Sequence, residues 1–234
     1  MKVAVYDMES RKIVRDMTGK DRWLEMGISW GCVWVSWELM PHGFVHHYLG
    51  RETMKLKDKL EEADLVISFN GISFDDQLVE AHAGQMDIKN HYDIHREVLS
   101  SIGKRVGLED IAYHTLGEKK IDKGDRIEEL VKNQDWARIA SYCSHDVLLT
   151  LYLFCFIREN GYVMCKHGRV PLKAPGGVSA WTDYEKTGAD TDAKPPTTKQ
   201  INYLKELDSS IDASKMTRRQ VSDKIDELKK GKKK

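Results

Sequence analysis

A short unbroken apolar run, Leu65-Val66-Ile67-Ser68-Phe69, ends abruptly at Asn70-Gly71. A strand that is apolar on both faces must be covered on both, so the run predicts a buried central strand of an α/β sheet. Helical spacing flanks it. Met54, Leu56, Leu60 and Ala63 mark a helix over residues 53–63, and a second helix follows the glycine to about residue 83. Upstream, Val3 and Val5 alternate in a strand over residues 2–6, and residues 27–39 are rich in Trp, Val and Ile. Residues 44–49 return as a third strand after the turn signal Pro41-His42-Gly43. The expected fold class is therefore α/β, a mixed sheet flanked by helices, with antiparallel strands first and parallel strands after.

Beyond Tyr92 the pattern is mostly helical, with its longest helix over residues 136–159 and Gly161 placed to cap it. Residues 162–172 read as a hairpin turning at His167-Gly168. Residues 173–196 hold Pro, Gly, Thr and Asp but few large apolar side chains, as a linker would. Two short helices follow, over residues 199–207 and 218–230. Ile201, Leu204 and Leu207 are spaced to face Val221, Ile225 and Leu228, and Thr217 stands three before Gln220 as in a capping box. Helices this short bury little alone, so the module is expected to dock on the main body or on a protein partner. The resulting division is a main domain over residues 1–172, a linker over 173–196, a small helical module over 197–230 and a disordered basic tail over 231–234.

With 234 residues the chain can bury one full core and carry a small appendage. No apolar run reaches about eighteen residues, so no membrane span is expected. The first residues turn polar too soon for a secretory signal. Cys32, Cys143, Cys155 and Cys165 form no CxxC pair, which argues against a zinc ribbon or a disulfide scaffold and for a reducing, cytoplasmic setting. The zero net charge hides an asymmetry: residues 195–234 carry 11 Lys and Arg against 6 Asp and Glu, leaving 26 against 31 for the rest. An acidic body is unusual for a nucleic-acid binder, unless its carboxylates hold cations.

Those carboxylates fall at telling places. Asp7 and Glu9 are two apart at the end of the first strand and share a face, with Met8 turned away. Side by side they repel, unless a cation lies between them; taken alone, an Asp-x-Glu is more often a solvated strand end. Asp75 follows Asn70-Gly71-Ile72-Ser73-Phe74 in the first turn of a helix, where an acid also simply favours the helix dipole. Tyr142 and Asp146 are four apart on one helix face, ahead of the apolar run Val147-Leu148-Leu149. A capping Asp over a core tyrosine would give the same pattern.

Together the three elements are far more specific. Tyr6-Asp7-Met8-Glu9-Ser10, Phe69-Asn70-Gly71 with Phe74-Asp75, and Tyr142-x-x-x-Asp146 resemble the three motifs of the DEDD exonuclease superfamily. The tyrosine four before the last Asp is similar to the DEDDy branch; the sister branch has a histidine five before it, where this chain has Ser141. Leu108-Glu109-Asp110-Ile111-Ala112 and Leu116-Gly117 are similar to phage and bacterial members, and the likeness covers about residues 1–160. His145, rotated about 100° from Asp146 around the helix, is not placed to replace the tyrosine.

The resemblance implies an RNase H-like fold and a 3′→5′ exonuclease working in a bacterial cell or a phage-infected host. It implies two divalent ions, Mg²⁺ or Mn²⁺, about 3.5–4 Å apart, held by Asp7, Glu9, Asp75 and Asp146. Asp7 would bridge both ions, and Glu9 and the Tyr142 hydroxyl would orient the attacking water. Single-stranded or 3′-terminal DNA is the expected substrate, with RNA the other candidate. Lys119, Lys120, Lys123 and Arg126 are candidates for backbone contacts, if they are not simply a solvated loop. Asn70 and Phe74 could flank the terminal nucleotide, although Phe74 equally suits the core. Asp93 could support the metal site from behind, or cap a helix. A structure-selective endonuclease on the same fold, and a non-catalytic nucleic-acid-binding or recruitment module, are the rival readings.

Overall fold

The computed structural model describes residues 1–14, 18–37, 43–121 and 126–175, and single positions between 203 and 228. The chain divides into two units, Met1–Val178 and Ser179–Lys234.

In the first unit β1 (Lys2–Ser10) lies at the centre of a sheet. The antiparallel hairpin β2 (Ile28–Trp37) and β3 (Phe44–Leu49) extends it on one side. On the other side come the parallel strands β4 (Leu65–Ser68) and β5 (His91–Asp93), giving the order β3-β2-β1-β4-β5. This is the α/β class with the mixed sheet expected. All four residues of β4 are buried, as a strand covered on both faces requires.

Alternation along β1 divides the core into two layers. Ala4, Tyr6 and Met8 point to one layer, where they meet Leu56 and Leu60 of α2 (Thr53–Glu61) and Leu78 and Val79 of α3 (Asp75–Ala83). Val3 and Val5 point to the other, which holds α4 (Ile94–Ile102), α5 (Leu108–Leu116) and the long helix α7 (Trp136–Asn160). Gly161 ends α7 in the left-handed region at φ +73°, the backbone state in which glycine carries no Cβ penalty. By length and composition α7 could cross a membrane, but 56% of its most apolar window is buried inside the body, as in a core helix. The hairpin β6 (Tyr162–Cys165) and β7 (Gly168–Pro171) follows where the sequence places it.

Three features depart from the sequence reading. β1 continues to Ser10, because β2 pairs with it that far, so Asp7 and Glu9 lie within the strand. Helix α1 (Gly19–Met26) occupies a stretch where no element was expected; it buries only Met26, leaving little apolar periodicity to read. β5 begins where no element was expected and is only three residues long. A short helix, α6 (Ile127–Lys132), precedes α7.

In the second unit Leu204, Val221 and Ile225 are buried together, with Leu207, Ile211, Met216 and Leu228 packed around them. This is the pairing the helical spacing predicts. Ile201, Thr217, most of the expected linker and the basic tail lie outside the described residues.

Candidate metal centre

β1 sets the site. On the face opposite Met8, Asp7 stands across from Cys32 and Glu9 across from Trp30 of β2. α7 packs over this face, and Cys143 Sγ donates to the Asp7 backbone carbonyl at 3.3 Å, tying helix to strand. One ligand atom from each of Asp7, Glu9 and Cys143 lies within 4.8 Å of the others. Tyr142 and Asp146, one turn apart on α7, are both buried.

Asp75 reaches the same place from the N-terminus of α3, where its Oδ1 accepts from Met8 N at 3.1 Å. The connection from β4 that delivers it is tightly held. Asn70 sits at φ +69°, which asparagine tolerates better than most residues. Gly71 passes so close to β1 and β4 that a Cβ there would lie 2.5 Å from Ser68 Oγ and 2.6 Å from Tyr6 Oη. Asp93 pins the connection from below. One oxygen accepts from Asn70 N at 2.8 Å and Arg96 N at 3.2 Å, and the other from Ile72 N at 3.2 Å. Asp93 therefore caps α4 and supports the site at once. Beside it runs a chain of polar contacts: Tyr6 Oη donates to Asp76, Asp76 pairs with His91 at 3.2 Å, and His91 meets Ser68 Oγ at 2.8 Å.

The electrostatics follow from this crowding. Burial, and then the charge of Asp146, pushes the Asp7 carboxyl up to about 7. Burial and the charge of Asp7 hold both Glu9 and Asp75 well above the usual carboxylate range. Burial also raises Asp146, although Lys120 pulls the other way. Lys120 Nζ donates to Asp146 Oδ2 at 2.5 Å and to Tyr142 Oη at 3.1 Å. Asp146 Oδ1 is buried and has no hydrogen-bond partner. Burial, with the charge of Asp146 next, raises the Tyr142 hydroxyl above the ordinary tyrosine value.

The cluster opens into a cleft of about 400 Å³, lined by Asp7, Asp146, Lys120 and Asn70 on one side and by Phe69, His95 and Arg105 among others. Phe69 and His95 lie against each other with ring centroids 5.7 Å apart. Among the described residues Arg105 makes no hydrogen bond or ion pair, so its guanidinium is available to an anion.

The structure thus brings Asp7, Glu9, Asp75, Asp146 and Tyr142 together, with Asn70 and Lys120 beside them. Phe74 is instead packed edge-on against Trp23, 5.4 Å between centroids, and is not among the residues that line the cleft. Lys119 is exposed and lies over the Tyr113 ring, Arg126 is exposed near Glu129, and Lys123 lies outside the described residues. His145 turns away to the Lys119 carbonyl. Sequence reasoning missed Phe69, His95, Arg105 and Cys143 as neighbours of the site. The one signal for Arg105 was the basic pair Lys104-Arg105 between Gly103 and Gly107, a short loop joining two helices. No protein-family model matches the chain, and no curated protein resembles it at a significant level.

Proposed function

We propose that the chain is a two-metal-ion 3′→5′ exonuclease of the DEDD type on an RNase H-like fold, acting on single-stranded DNA. The observation that carries this reading is the convergence of four buried or half-buried carboxylates from β1, α3 and α7 with Tyr142, beside a cleft that Asp7 and Asp146 line. Four acids with raised pKa values in one place are unfavourable unless cations share them. The strand order, with its first three strands antiparallel, is compatible with the fold.

The donor set suits hard divalent ions such as Mg²⁺ or Mn²⁺, and the orphaned Asp146 Oδ1 is a buried acceptor that such an ion would satisfy. Asp7, Glu9, Asp75 and Asp146 would hold them. When bound, the ions would supply activation of water and neutralisation of the leaving 3′-oxygen. Asp7, which lines the open cleft, would serve both. Tyr142, protonated at neutral pH, donates a hydrogen bond that orients water and takes no proton. Phe69 and His95 offer an aromatic surface for a terminal base, and Arg105 a phosphate contact. A cleft near the small end of ligand-site volumes suits an unpaired end better than a duplex.

The test is incubation of the purified protein with 5′-labelled single-stranded DNA or RNA, with Mg²⁺, Mn²⁺ or chelator, beside an Asp7→Ala control. A metal-dependent ladder shortening from the 3′ end, absent in the control, is expected, with DNA the better substrate. Internal cuts would favour a structure-selective endonuclease. Intact substrate that is still bound would favour a recruitment module.

A further inference from the structure

Among the described residues, Lys120 is the one cation bonded to any of the four carboxylates. It comes from the segment after α5, lines the cleft with Asp7 and Asp146, and lies 5.2 Å from the centre of the Tyr142 ring. Its side chain is only 21% exposed, and its ammonium is held at two atoms of α7. A lysine kept for phosphate alone would have its ammonium free at the cleft wall, as the guanidinium of Arg105 is. Lys120 instead sits where the negative charge is densest. A divalent ion taken up on the unpartnered Asp146 Oδ1 would stand within a few ångströms of the ammonium held on Oδ2, and the two cations would repel each other. Charge compensation at Asp146 is therefore an exchange, and the flexible four-carbon stem of lysine allows the head to move while its root stays in place.

We propose that Lys120 is the resident counter-ion of the metal-free site, displaced from Asp146 by the incoming divalent ion and released toward the phosphate of the substrate. The proposal rests on the nuclease reading for the identity of the incoming ion. It gives one residue two successive roles. Without metal, Lys120 offsets part of the repulsion among Asp7, Glu9, Asp75 and Asp146. With metal, it joins Arg105 as a contact for the nucleic-acid backbone. It also makes metal binding weaker than the four carboxylates alone would give, since an ion pair must break first.

The test needs no turnover. Mn²⁺ binding to the full chain is measured by electron paramagnetic resonance for the wild type, Lys120→Met and Lys120→Arg. Lys120→Met is expected to bind Mn²⁺ about tenfold more tightly, the size of effect a close opposite charge has on a carboxylate. Lys120→Arg, which keeps the cation, should stay near the wild type. In parallel, acylation of Lys120 by an amine-reactive reagent is followed by peptide mass mapping of the wild type, which does not depend on a variant folding. Lys120 should be protected without metal and become reactive with Mn²⁺. Unchanged labelling, or an Mn²⁺ affinity in folded Lys120→Met equal to or below that of the wild type, would overturn the exchange and leave the nuclease reading standing. No Mn²⁺ binding by any of the proteins would sink both.

Discussion

Tyr142 shows how neighbours decide what a hydroxyl can do. Its Oη accepts from Lys120, and the charges of Asp146 and Glu9 add to burial in keeping it protonated. A phenol held in that state donates a hydrogen bond but does not act as a base. Tyr142→Phe should therefore lower kcat by about ten- to a hundredfold, less than the loss of a full general base, and leave KM nearly unchanged. Steady-state kinetics on a labelled oligonucleotide would show this, and a variant whose KM rose while kcat held would place the hydroxyl on substrate binding instead. The pairing of Tyr142 with Asp146 was legible in the sequence, because positions four apart share a helix face whatever the tertiary fold. The position of Lys120 was not. A loop lysine carries no local pattern that separates a solvated charge from one bonded to Asp146.

The connection from β4 to α3 controls where Asp75 stands, and it does so through backbone. Asp93 holds three of its surrounding N–H groups, and Gly71 leaves room for the chain from Tyr6 through Asp76 and His91 to Ser68. A methyl at Gly71 would meet two oxygens of that chain, both at the ends of side chains already bonded elsewhere. Gly71→Ala should destabilise the protein by about 1–3 kcal/mol, the usual cost of overpacking. It should also reduce Mn²⁺ affinity, because Asp75 must move. Thermal unfolding and Mn²⁺ titration together check it, and a variant with both unchanged would show that the connection has slack. The turn at Asn70-Gly71 and the strand before it were legible, since an unbroken apolar run ending at glycine has few other solutions. β5 was not, because three residues give no period, although it contributes Asp93. α1 was hidden for the opposite reason: with one buried residue it is held by the body more than by its own pattern.

For the whole molecule, the acidic centre makes stability depend on pH in an uncommon direction. Asp7 has an ordinary value of 3.8 and is raised to about 7 in the fold, with Glu9 and Asp75 raised too. A carboxyl raised on folding binds its proton more tightly in the native state. Its contribution is therefore complete below the unfolded value and is lost as pH rises through the folded one. Between about pH 4 and 7 the native protein keeps the Asp7 proton that the unfolded chain has released, so stability falls as pH rises. Each such group contributes a slope of at most about 1.4 kcal/mol per pH unit. For a chain of this size that is at most about 3–6 °C in Tm per unit. The metal-free protein should accordingly unfold at a lower temperature at pH 8 than at pH 5.5. Divalent ions reverse the balance, because they bind the ionised carboxylates of the folded state and stabilise it by mass action. Differential scanning calorimetry at the two pH values, with chelator and with Mn²⁺, separates the terms. The expected result is a Tm that drops with pH in chelator and recovers with Mn²⁺ most strongly at pH 8. A Tm that rose from pH 5.5 to 8 in chelator would mean that the four acids are already compensated without metal, which would remove the physical reason for placing divalent ions among them.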